Sequence, residues 1–117
     1  MLLNTKFYKG NTMDTEEKKL NVEQSLKDNI LTVKLTGWLD PNTSPLLLEE
    51  IKTDNIAKLI FDMKNVEYVF SAGLRAFLIF QKQMDEHNGQ MQLINVSDQI
   101  RLIFEYAGFE SMLEPKK

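Results

Sequence analysis

Ala57-Lys58-Leu59-Ile60-Phe61-Asp62-Met63 is the stretch on which the fold turns. A compact apolar run of this length marks a strand of the kind buried at the centre of a parallel sheet. Downstream, Lys64-Asn65 reads as a turn and Tyr68-Val69 as an apolar pair, and the longest helix begins near Ser71 and continues to about His87. Asn88-Gly89 is its stop, with glycine supplying the left-handed geometry. Met91, Leu93 and Ile94 then make another strand. Strand, helix and strand in this order imply a right-handed crossover and parallel pairing.

Upstream of that unit, Ile30, Thr32 and Lys34 alternate with Leu31, Val33 and Leu35, a half-buried strand ending at Gly37. Leu20, Val22 and Leu26 precede it, and Asp28-Asn29 between them is a hairpin turn. The breaker cluster Asp40-Pro41-Asn42-Thr43-Ser44-Pro45 leads into a short helix from Leu46 to about Lys52. Pro45 suits its first position, and Ser44 is read as the cap. Near the end, Ser97-Asp98 starts a last helix with Ile100, Ile103, Phe104 and Ala107 on one face, closed by Gly108. Phe109, Met112 and Leu113 are expected to fold back onto the core. The class is α/β: a mixed sheet of about four to five strands with helices packed against it. Residues 20–117 make the domain. Residues 1–19, polar and charged from Lys9 to Lys19, read as an N-terminal tail or a late-docking strand, with Met13 as an alternative start.

A chain of 117 residues with 43% hydrophobic side chains suits one domain with a core that needs no staples. It contains no cysteine, which removes disulfides, thiolate metal sites and cysteine nucleophiles. A net charge of −3 argues against general binding to a nucleic-acid backbone. No apolar stretch approaches the ~20 residues that span a bilayer, and the opening Met1-Leu2-Leu3-Asn4-Thr5-Lys6 is too short an apolar run for a secretory signal. The expectation is a soluble cytoplasmic protein.

Two segments carry a family resemblance. Gly37-Trp38-Leu39-Asp40 looks like the Gly-x-Leu-Asp at the end of the second strand of the STAS domain of bacterial anti-sigma factor antagonists. Phe70-Ser71-Ala72-Gly73-Leu74-Arg75 is similar to that family's Asp/Ser-Ser-Ser/Thr/Ala-Gly-Leu at the start of the switch helix. The spacing fits too, and the resemblance covers roughly Leu20 to Leu113. It implies a non-enzymatic regulator of sigma-factor-dependent transcription. The partner implied is an anti-sigma factor that is also a serine kinase and supplies its own ATP. Phosphorylation breaks the complex, and a serine phosphatase restores it. Carried onto this chain, Ser71 matches the phosphoacceptor and Asp40 the acid near it. Phe70 departs from the family's Asp, and Ala72 replaces a second hydroxyl.

The same residues have a plain physical reading. Ser71 is placed to cap the long helix, and a phosphate there would meet unpaired amides and the positive end of the helix dipole. Capping residue and phosphoacceptor both remain open roles. Gly73 either permits close helix–sheet packing or lets a partner backbone approach. Along the helix, Leu74, Phe77, Leu78 and Met84 are assigned to the buried side, helped by Ala76 and Phe80. Arg75, Ile79, Lys82 and Glu86 are assigned to the other, with Ile79 as an exposed anchor. The expected partner-binding set is Asp40, Ser71, Ala72, Gly73, Arg75, Ile79 and Lys82. Trp38 reads as a cover for a core edge or, if exposed, as a binding hot spot, Asp62 and Glu67 as solvated strand and loop ends, and His87 as a dipole partner.

No catalytic motif stands out. There is no Gly-rich phosphate loop, no expected metal site and no cofactor. His87 lies about 24 Å along the helix from Ser71, too far to act as its base. Two alternatives come from other classes: a STAS subunit of a lipid-trafficking ABC transporter or a similar adaptor, and a small-ligand module using Trp38, Phe70 and Phe77.

Overall fold

The structure is a computed structural model that describes residues 2–9 and 19–113. The polar stretch with Met13, and the charged C-terminal end, lie outside the described residues. Five strands, β1 (Leu2–Lys9), β2 (Lys19–Lys27), β3 (Ile30–Leu39), β4 (Lys58–Val69) and β5 (Gln90–Ile94), form one sheet in sequence order. β1, β2 and β3 pair antiparallel, whereas β3, β4 and β5 run parallel. Helices α1 (Thr43–Glu50), α2 (Ser71–Glu86) and α3 (Asp98–Tyr106) follow β3, β4 and β5 in turn. The sheet is therefore mixed, as the element order predicts.

Local chemistry explains the joints. Asp28 and Asn29 both take positive φ, 53° and 64°, which is the two-residue turn that matches the twist of a β2–β3 hairpin. Ser97 caps α3, its side chain accepting from Ile100 N at 3.2 Å. At the end of α2 it is Asn88, at φ 62°, that adopts the left-handed conformation expected of Gly89. Gly89 serves a different need, since a Cβ there would stand 2.5 Å from Met84 Cε and 3.2 Å from Ala57 O.

Two boundaries move. β4 does not stop at a turn near Lys64-Asn65; it continues to Val69 through two register shifts against β3, between Lys34 and Thr36 and between Gly37 and Trp38. Asp62 Oδ1 accepts from Lys64 N and from Asn95 Nδ2, both at 3.1 Å, so the first irregularity is bridged by a side chain and the strand survives it. α1 begins at Thr43, ahead of the expected Pro45, because Asp40 caps it: Oδ1 accepts from Asn42 N and Thr43 N, each at 2.8 Å. Ser44 is then inside the first turn, and its buried hydroxyl has no hydrogen-bond partner among the described residues.

The core lies between the sheet and the helices. Phe61 of β4 meets Phe77 edge-on at 5.1 Å and Phe80 at 5.2 Å, and Phe77 in turn packs on Phe104 of α3 at 5.8 Å. Met112 and Leu113 fold back as expected, with Leu113 bridging to Leu93. Phe77 is fully enclosed here, which removes the ligand surface imagined around Trp38, Phe70 and Phe77.

The far ends of β3 and β4 project beyond the rest of the sheet. β5 ends opposite Asp62 and β2 pairs no further along than Gly37, so Trp38-Leu39 and Tyr68-Val69 form a two-stranded ribbon. That ribbon carries the candidate site.

Candidate functional site

The ribbon ends where α1 and α2 begin. Phe70 N donates to Leu39 O at 2.8 Å, which holds Phe70 extended (φ −85°, ψ 174°) and ties the start of α2 to the end of β3. The carbonyl of Phe70 accepts from Gly73 N and Leu74 N at 2.9 and 3.1 Å. Phe70 therefore occupies the cap position and Ser71 the first helical position, one residue later than the capping role requires. The side chain of Ser71 is exposed and makes no capping hydrogen bond. Its hydroxyl is free for other chemistry.

Asp40 sits on the neighbouring strand end, one residue past Leu39. It is 5% exposed, and its carboxylate is engaged by the α1 amides. Its own N–H donates to Thr43 Oγ1 at 3.0 Å, and the Thr43 hydroxyl donates to Trp38 O at 2.8 Å. Asp40 is thus brought to the same pole as Ser71 while holding a structural post there.

Gly73 faces the sheet. A Cβ on it would lie 2.9 Å from Leu39 Cβ and from Val69 Cγ1. Its close seat on the β3–β4 ribbon is the packing role that the sequence allows for it. A correction concerns the outer face of α2. Leu78, assigned to the core, is 38% exposed, whereas Ile79 is half-buried. Ile79 and the neighbouring Gln83 turn toward the side where Thr53 Oγ1 donates to Gln83 Oε1 at 2.9 Å. Ser71, Arg75, Leu78 and Lys82 instead share the exposed stripe, spaced i, i+4, i+7 and i+11. Half-buried Ala72 borders it. That spacing was visible in the sequence, and centring the helical stripe on Ser71 finds Leu78.

Beside the stripe stands an aromatic cluster that residue-by-residue reading misses. Trp38 pairs in register with Tyr68, and Phe70 follows two residues on, so all three rings meet on the ribbon. Ring centroids are 5.9 Å apart for Trp38–Tyr68 and Trp38–Phe70, and 4.8 Å for Tyr68–Phe70. Trp38 Nε1 donates to Glu67 Oε1 at 3.3 Å, so Glu67 is an indole acceptor and more than a solvated loop end. Phe70 keeps 38% of its surface exposed next to Ser71. His87 is remote, its Nε2 within 2.9 Å of Ile56 O at the other end of α2. Among the described residues no group of acidic, histidine or cysteine side chains is arranged to hold a metal.

A model of the STAS domain matches residues 21–117. The chain belongs to the STAS family. The anti-sigma-B factor antagonist of Staphylococcus aureus (strain NCTC 8325 / PS 47) is 30% identical over 97 residues, covering 80% of this chain and 90% of that protein. This places the STAS domain in the anti-sigma factor antagonist group. Among solved structures, the unphosphorylated form of the anti-sigma factor antagonist SpoIIAA has a TM-score of 0.73 at 17% identity, over 82% of this chain and 88% of the other. A sulfate transporter family protein from Wolinella succinogenes shares the fold with a TM-score of 0.63 at 18% identity, over 76% and 79% of the two chains. No helix among the described residues is long and apolar enough to cross a membrane.

Proposed function

We propose that this STAS domain is a non-enzymatic, cytoplasmic switch that binds an anti-sigma factor with serine kinase activity and is released from it by phosphorylation of Ser71. The observation that carries this reading is the exposed, uncommitted Ser71 at the head of a stripe with Arg75, Leu78 and Lys82. The kinase brings ATP. Transfer forms the Ser71 Oγ–P bond, breaks the bond between the γ-phosphorus and its bridging oxygen, and frees ADP and the hydroxyl proton. A serine phosphatase returns the hydroxyl by hydrolysis, releasing inorganic phosphate.

Docking and folding respond differently to the modification. A phosphate adds close to two negative charges at the positive end of α2, which the helix accommodates. A partner surface fitted to a neutral hydroxyl loses its fit. Leu78 supplies the apolar anchor on this face, and the aromatic cluster at Trp38, Tyr68 and Phe70 extends the contact along the ribbon. Asp40 contributes by fixing the β3–α1 turn next to the hydroxyl.

Mass mapping of protein from its native cells is the direct test, together with binding by Ser71→Asp. The expected results are a phosphatase-sensitive phosphate on Ser71 and partner binding weakened by at least about tenfold, or ~1.4 kcal/mol. Equal binding by both forms overturns the switch. Phe70 in place of the family's acid favours one other reading: a STAS subunit of a lipid-trafficking ABC transporter or related adaptor. An unmodified Ser71 in every growth condition, with a transporter ATPase co-purifying, would select it.

A further inference from the structure

Arg75 lies one helical turn beyond Ser71 on the same exposed stripe, and residues i and i+4 of a helix have Cβ atoms about 6 Å apart. Among the described residues it has no ion pair. The first turn of α2 carries no acid, and the acids of the helix, Asp85 and Glu86, stand in its last turn beside Lys82 and far from Arg75. We propose that Arg75 is the second half of the switch, clamping the phosphate of Ser71 in cis and so withdrawing its guanidinium from the docking face. This rests on the reading of Ser71 as the modified residue.

The chemistry favours the pair. A guanidinium offers a planar fork of donors that matches two phosphate oxygens at once, which an ammonium cannot do. The spacing brings the fork to the phosphate without moving the backbone. Because both groups are at the surface, the pair forms without burying a charge. Helix pairing begins at Gly73 N, so the amides of Ser71 and Ala72 remain open at the same end and add to the hold.

The clamp also says what the partner offers. In the unmodified protein Arg75 gives the Ser71 end of this face a positive character, so the complementary surface carries carboxylates opposite Arg75. Phosphorylation then acts twice at one spot. It occupies the guanidinium that attracted the acid, and it places negative charge where the acid had docked.

The test uses the full chain with phosphoserine placed at position 71 by genetic encoding, so no kinase is needed. It is made as wild type, Arg75→Gln and Arg75→Lys. In wild type, modification is expected to move the Nε–H resonance of Arg75 and to raise the melting midpoint by roughly 3–6 °C. In Arg75→Gln the rise should fall to less than about half, with Arg75→Lys between the two. An unmoved Arg75 resonance, with equal melting increments in wild type and Arg75→Gln, overturns the clamp even if Ser71 still switches partner binding. Conversely, the native protein never being phosphorylated overturns the switch reading while the encoded phosphoserine still measures the pair.

Discussion

A methyl group added at Gly73 would come within 2.9 Å of two side-chain carbons and 3.1 Å of the Leu39 carbonyl oxygen. None of these is the free end of a long side chain, so α2 must lift from the ribbon to admit it. Gly73→Ala is therefore expected to cost about 1–3 kcal/mol, read as a lower melting midpoint, despite alanine's better helix propensity. Leu78 and Ile79 make the complementary pair. Leu78→Glu should cost less stability than Ile79→Glu and weaken partner binding, because 38% of Leu78 already faces water and a carboxylate there can reach solvent. Ile79→Glu should lower the melting midpoint further, since a carboxylate would enter the half-buried seam beside Gln83. Equal melting of the two variants would refute this division of the helix. At this scale the sequence was legible wherever a residue type has one main use, as with Asn29 in the hairpin or Ser97 at a cap. It was ambiguous for adjacent leucine and isoleucine, where one residue of helical phase decides which faces water.

Helix starts are set by backbone pairing as much as by side-chain type, and α1 and α2 show how. Each has near its start a serine that sequence rules favour as a cap, Ser44 and Ser71, and each serine lies inside the helix instead. In both, the strand end fixes the start: Asp40 reaches the α1 amides, and the Phe70–Leu39 bond positions α2. A long-range strand partner is invisible to local patterning, so existence and order of the helices were readable while their first turns were not. The displaced Ser44 carries a consequence. Its hydroxyl is buried without a partner among the described residues, a situation that costs roughly 1–3 kcal/mol relative to a satisfied group. Ser44→Ala should accordingly raise the unfolding free energy, read from denaturant titration, by on the order of 1 kcal/mol, helped by alanine's helix propensity. Asp40→Ala should lower it by about 0.5–2 kcal/mol through loss of the α1 cap. If Ser44→Ala destabilises, the hydroxyl has a partner that the α1 geometry does not reveal.

The whole molecule gathers its site at one pole because parallel strands place their C-terminal ends together, and the loops leaving those ends carry the chain into α1 and α2. Alternation of strands and helices makes that much predictable. The two-stranded ribbon was not, because β4 reads as broken at Lys64-Asn65 unless the register shifts against β3 are known. The ribbon has a dynamic corollary. Leu31 to Val33 and Leu59 to Phe61 lie where strands are paired on both sides, whereas Trp38-Leu39 and Tyr68-Val69 have only each other. Amide exchange should be slowest in the first group and measurably faster in the ribbon, with the edge strand β1 also fast. Partner docking on α2 and the aromatic cluster should then slow the ribbon amides while leaving those at Leu59 to Phe61 unchanged. Trp38, the sole tryptophan of the chain, gives an optical check, since its emission should shift on docking. A complex that forms without protecting the ribbon or moving Trp38 emission would mean that the partner grips the exposed stripe of α2 alone. The aromatic cluster would then serve only to brace the start of the switch helix.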